Sequence, residues 1–160
     1  MLTRDIIIWD VDGVLADIRH REHWVSDKQN KDWDSFFAPE QMMRDLPIRP
    51  NIVLLNTVQS VCDTVLLTAR PDRTRAVTLT WCDRHNVRYS RLITRPDGDV
   101  DFQGAAQWKA AEVEKLVTGR HNILGFYDDR TKNVDAVAAL GVPAFQLVMA
   151  GRDRDYPGNH

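Results

Sequence analysis

Asp5-Ile6-Ile7-Ile8-Trp9-Asp10-Val11-Asp12-Gly13-Val14 begins as an apolar run and ends on two acids. β-branched residues dominate the run, so it reads as a short buried strand. Two carboxylates at i and i+2 past such a strand can share one rim if the chain leaves extended geometry there. Gly13 permits that departure. A surface turn with two solvated acids would have the same letters, so the stretch needs its context.

Working outward, short apolar runs recur at residues 64–68, 91–94, 122–127 and 144–149. Helix-period segments lie between them. One starts near Pro50 and carries Leu55, Val58 and Cys62 as its stripe. A second, residues 72–85, places Val77 and Trp81 on one face. A third, residues 104–118, carries Trp108, Val113, Leu116 and Val117. A fourth, residues 131–140, is closed by Gly141 with Pro143 just beyond. This alternation predicts an α/β fold in three layers, with a five-stranded parallel sheet and helices on both faces. Residues 16–47 interrupt it and read as a small helical insertion, or cap, after the first strand. The expected organisation is one domain over residues 1–150, then a polar tail at 151–160.

Sheets of this kind gather ligands at the carboxyl ends of their strands. Asp10, Thr68 and the pair Asp128-Asp129 all fall at such ends. Asp10 suits a nucleophile attacking phosphorus. Asp12 suits a general acid, then a general base for the water that cleaves the aspartyl-phosphate. Asp10, the Asp12 carbonyl and Asp128 offer oxygen ligands to a hard cation such as Mg2+, with Asp129 in support. Two acids at a helix N-terminus have a plainer reading, since that position favours acids. Thr68 and nearby N–H groups, Ala69 included, can hold a phosphate oxygen, and Arg70 can add a bidentate contact. Alone, Thr68 reads better as a helix cap. Lys109 can neutralise Asp10 and the transferring phosphoryl group, although lysine is common on helix surfaces.

The order acid pair, hydroxyl, lysine, acid pair resembles the haloacid dehalogenase superfamily over most of the chain. That resemblance implies a Rossmann-like sheet, Mg2+ and an aspartyl-phosphate intermediate, and Asp12 narrows it to phosphatases and phosphomutases. DVDGVLADIRHR, LLTAR and FYDDRTKNVDAVAALGVPAFQLV further resemble the 3′-phosphatase domain of polynucleotide kinase/phosphatases. By that likeness Arg21, eleven residues after Asp10, and Arg70 are expected substrate contacts. Gly104-Ala105-Ala106-Gln107 stands where the phage enzyme has acids, which leaves Asp101 as a substitute. No GxxxxGK[ST] run occurs in the 160 residues, so they hold no kinase half, and a separate kinase or ligase partner is expected.

The formal net charge of −2 by itself predicts neither a nucleic-acid nor a membrane partner. Between residues 70 and 95, however, seven arginines meet only Asp72 and Asp83, a formal +5. A polyanion-binding flank and a solvated helix face explain this equally well. Trp24, Trp33, Phe36 and Phe37 fit the apolar face of a small helix better than a base-stacking set. Neither residues 16–47 nor the stretch between Thr68 and Lys109, most of which a strand and a helix occupy, has room for a large lid, and an open site suits a bulky substrate. The expected substrate is a phosphorylated nucleic-acid end or nucleotide carrying a 3′-phosphate. A 5′(3′)-mononucleotidase and a non-catalytic phosphate-binding module are the alternatives. Cys62 and Cys82 have no metal-site spacing, no signal-peptide pattern opens the chain, and a cytoplasmic protein is expected.

Overall fold

The computed structural model describes residues 4–98 and 104–149. The 151–160 tail and Asp101 lie outside the described residues. In chain order the elements are β1 (Arg4–Trp9), β2 (Ala16–Asp17), α1 (Trp33–Phe36), α2 (Pro39–Met42), β3 (Leu46–Pro47) and α3 (Arg49–Gln59). They continue as β4 (Asp63–Pro71), α4 (Arg75–Arg84), β5 (Arg91–Arg95), α5 (Ala105–Thr118), β6 (His121–Asp128), α6 (Thr131–Ala138) and β7 (Ala144–Gln146). Five strands form one parallel sheet in the order β5-β4-β1-β6-β7, with β1 at its centre. The α/β class and the five-stranded parallel sheet are as the alternation predicts.

Side-chain alternation along the strands builds the three layers. Ile6 and Ile8 of β1 and Val65 and Leu67 of β4 join Trp108, Val113 and Leu116 of α5 and Val137 of α6. On the opposite face, Trp9 and Leu66 join Ile52 and Leu55 of α3 and Trp81 and Cys82 of α4. None of the described helices is long and apolar enough to cross a membrane.

Residues 16–47 are pinched at their base by an antiparallel ribbon that pairs Ala16 with Pro47 and Asp17 with Leu46. Between the two strands lie a 3-10 turn over Arg19–Trp24 and the short helices α1 and α2. Ile18, Val25, Phe36, Phe37 and Met42 share one buried cluster with Trp9, Leu66 and Trp81. The insertion is therefore packed onto the body of the sheet through a continuous apolar contact.

Several local expectations need correction. The buried stripe of α3 is Ile52 and Leu55; the helix ends at Gln59, before Cys62. Residues 72–85 divide into a 3-10 turn over Asp72–Thr74 and then α4. Val117 is exposed rather than packed. The last strand stops at Gln146, not at residue 149. Strand β4 continues past Thr68 to Pro71, but its register with β5 shifts between Leu67 and Pro71. Thr68, Ala69 and Arg70 sit in that irregular stretch, so backbone geometry separates them from the regular ladder.

Candidate active site

Asp10 follows the last residue of β1, and its N–H donates to the Tyr127 carbonyl of β6 at 2.9 Å. That bond ties the acid to the neighbouring strand end, where Asp128 and Asp129 lie. Lys109 reaches over from α5. Its ammonium is 2.8 Å from Asp10 Oδ1 and 2.6 Å from Asp128 Oδ2. The lysine is buried, as are both acids. Burial alone would push the lysine's pKa down, but Asp10 and Asp128 together outweigh it and hold the pKa above its ordinary value.

Asp128 is fixed from a second side. Its Oδ1 accepts from the Arg130 N–H at 2.9 Å, and both its oxygens lie 3.0 Å from Asn133 Nδ2. The strand end and the first turn of α6 thus share one carboxylate. Asp129 packs against Gly13, whose φ is +78°. A Cβ at Gly13 would stand 2.1 Å from Asp129 Oδ2. Gly13 therefore has two roles: it takes the left-handed turn and it leaves room for Asp129. Gly13→Ala should cost about 1–2 kcal/mol from the backbone alone and more from the displaced carboxylate. Thermal denaturation should show a Tm roughly 3–8 °C lower. An unchanged Tm would contradict this packing.

Asp10, Asp128 and Asp129 each present an oxygen within 4.8 Å of the others. Three buried carboxylates meet the Lys109 ammonium and, at 4.0 Å from Asp129, the Arg130 guanidinium, so acids outnumber these cations. Burial, with Asp128 and Asp129 adding to it, raises the Asp10 pKa well above its ordinary value despite the opposing pull of Lys109. A hard divalent cation with oxygen ligands matches this donor set. The Asp12 side chain is not part of it.

Asp12 instead meets two arginines. Its Oδ1 accepts from Arg70 Nε at 2.9 Å, Arg70 Nη2 at 2.6 Å and Arg21 Nη2 at 3.0 Å. Both guanidinium groups are fully buried. Their second anchor is Asp45, 2% exposed, which accepts from Arg21 at 2.8 Å on each oxygen and from Arg70 at 2.9 Å. His20 Nε2 stands 2.9 Å from the same carboxylate. The Asp45 carbonyl accepts from the Trp81 indole at 2.9 Å. Two arginines against two aspartates make a neutral buried cluster, which is how buried charges are tolerated.

An open cleft gathers Asp10, Asp12, Thr68, Ala69, Lys109 and Asp129, with Phe37, Ala105, Arg130 and Asn133 completing its lining. Thr68 is buried in its floor, and its Oγ1 accepts from the Arg70 N–H at 3.3 Å. The four residues expected to be catalytic line this cleft, whereas Arg21 and Arg70 do not; the structure places them behind Asp12. Asp45, Asn133, Arg130 and the lining role of Phe37 were not foreseen. The arginine-rich stretch also divides. Arg73 stands beside Phe37, but Arg84 ends α4 and Arg91 begins β5, so both lie at the rim opposite the cleft. A helix that crosses between parallel strands must return the chain to that rim.

The family model described as the polynucleotide kinase PNKP phosphatase domain matches residues 4–151. No curated protein matches the sequence. Among solved structures, a chain of the Pnkp1/Rnl/Hen1 RNA repair complex superposes with a TM-score of 0.74 at 20% identity, over 94% of this chain and 44% of that one. This chain thus spans less than half the length of that relative. The class C acid phosphatase from Bacillus anthracis, solved with tungstate bound, gives 0.61 at 15% identity, over 92% and 68%. A haloacid dehalogenase-like hydrolase from Streptococcus pneumoniae gives 0.62 at 10%, over 90% and 84%. At these identities the structural matches speak for the fold, while the family model covers nearly the whole sequence. The chain belongs to the haloacid-dehalogenase-type family of PNKP phosphatase domains.

Proposed function

We propose that the protein is a Mg2+-dependent phosphomonoesterase that removes 3′-phosphates from polynucleotide ends or nucleotides through an aspartyl-phosphate on Asp10. The observation that carries this reading is Lys109, whose buried ammonium joins Asp10 to Asp128 while Asp12 lines the same cleft. A carboxylate oxygen of Asp10 attacks phosphorus, and the bond from phosphorus to the leaving oxygen breaks. Asp12 gives that oxygen its proton. Water then attacks the phosphorus of the acyl phosphate and Asp12 takes the water's proton. The bond from phosphorus to Asp10 breaks, releasing inorganic phosphate and restoring the carboxylate. Lys109 offsets the negative charge beside Asp10. The Thr68 hydroxyl and the Ala69 N–H hold phosphoryl oxygens. Asp10, Asp128, Asp129 and the Asp12 carbonyl would hold Mg2+, which when bound supplies charge stabilisation at the phosphoryl oxygens.

A proton and Mg2+ compete for Asp10. In the cation-free protein burial raises that carboxyl's pKa, so stability falls as pH climbs from the unfolded value of about 4 through the raised folded value. The cation binds the ionised form. The gain in Tm on adding Mg2+ should therefore be small near pH 5 and larger by several degrees near pH 7.5. Equal gains at both pH values would count against the cation site.

The 3′ assignment is supported by the family and by the small size of the insertion, which packs onto the body of the sheet. The relative in the RNA repair complex works within an assembly, which favours a separate kinase or ligase partner here as well. Cys62 and Cys82 are unpaired, which suits a cytoplasmic setting. Turnover of 3′-phosphorylated oligonucleotides, 3′-mononucleotides and 5′-mononucleotides should rank in that order. A large preference for 5′-mononucleotides would overturn the 3′ assignment.

A further inference from the structure

We propose that the edge of the insertion beside Asp12 is a nucleotide subsite: Trp33, backed by the buried Phe37 ring, stacks the base of the nucleotide that carries the scissile phosphate, and Arg73 takes the preceding phosphate of the strand. The inference rests on the phosphatase reading above and adds where the leaving group lies. A general acid must stand beside the leaving oxygen, so the leaving nucleoside lies on the Asp12 side of the cleft. That side is built by the insertion. Arg21, which holds Asp12, sits 4.3 Å over the Phe36 ring and donates to the Phe36 carbonyl at 3.1 Å. The next residue, Phe37, lines the cleft itself.

Trp33 packs on Phe37. Its ring is nearly parallel to that of Phe37, with centroids 5.8 Å apart and planes inclined by 15°. Phe36 and Phe37 are buried and belong to the core, whereas Trp33 is only partly buried and is the ring a base can reach. Aromatic faces at the edge of an open cleft accept any base, because every base has a π-face. Two cations border the wall. The Arg73 guanidinium lies 5.9 Å from the Phe37 centroid, and the Lys31 ammonium 5.3 Å from that of Trp33. Arg73 also meets Asp34 at 3.5 Å and Asp97 at 3.7 Å, but these carboxylates are 99% and 50% exposed. Such exposed pairs are weak, and a strand phosphate can displace them.

The test compares wild type with Trp33→Leu and Arg73→Gln on three esters: a 3′-phosphorylated dinucleotide, a 3′-mononucleotide and glycerol 2-phosphate, which has no ring and a single phosphate. Trp33→Leu should lower the mononucleotide-to-glycerol-phosphate ratio of kcat/KM about ten-fold. Arg73→Gln should lower the dinucleotide-to-mononucleotide ratio about ten-fold and flatten the salt dependence of dinucleotide KM. Unchanged ratios overturn the subsite. So does an equal loss on all three esters, which marks a merely structural role. If wild type hydrolyses none of the three, the phosphatase reading fails separately, and binding decides the subsite. A 3′-hydroxyl dinucleotide should then still quench tryptophan emission in wild type and not in Trp33→Leu; no difference overturns it.

Discussion

An Asp10→Asn protein folds and loses phosphate-ester hydrolysis by at least about 10⁴-fold. Asparagine keeps the size of the side chain and can hold the bond from the backbone of residue 10 to the Tyr127 carbonyl. It offers no carboxylate to form the acyl phosphate. Lys109 keeps Asp128 at 2.6 Å, but its partner at 2.8 Å loses the negative charge. The substitution also removes a carboxyl that burial places at a disadvantage when ionised, so the cation-free Tm should hold or rise. Steady-state hydrolysis of an aryl phosphate and a melting curve check both halves. Activity within about ten-fold of wild type would rule out Asp10 as the nucleophile.

Replacing Asp45 has the second largest expected effect, and it depends on the leaving group. Asp45 is the counter-charge that keeps Arg21 and Arg70 from acting on Asp12 alone. In Asp45→Asn two buried guanidinium groups face the single carboxylate of Asp12. The general acid then gives up its place to a pinned carboxylate, and a nucleoside leaving group departs without a proton. Turnover of a 3′-phosphorylated nucleotide should fall about 100-fold or more, and that of a nitrophenyl phosphate, whose leaving group needs no proton, less than about ten-fold. Asp45→Ala also leaves two buried cations short of a partner and should cost about 3–5 kcal/mol of stability. Equal losses on both esters would remove Asp45 from any positioning role.

The strands and the acid pairs were legible because their signals are local. An apolar run closed by acids shows its strand and rim in a few letters, as at residues 5–14 and 122–129. The Asp45 cluster was not legible in the same way. Its four members stand at residues 12, 21, 45 and 70 with no shared period, and only folding of the insertion brings them together. Arg21 and Arg70 read as substrate contacts, and nothing local in the sequence marks their guanidinium groups as buried and in need of a second paired acid. Asn133 was hidden for a different reason, since a polar residue in the first turn of a helix reads as solvated surface. The arginine-rich stretch left two readings open because linear counting ignores the crossover, which sends Arg84 and Arg91 to the far rim and leaves Arg73 beside Phe37.

The most direct measurement is to quench the enzyme during turnover, reduce it with borohydride and map its peptides by mass spectrometry. An acyl phosphate on the first acid after β1 is reduced to an alcohol, so residue 10 should appear as homoserine, only when substrate and Mg2+ are both present. Steady hydrolysis with residue 10 unmodified, and the reduced group found on another acid or on none, would contradict the account.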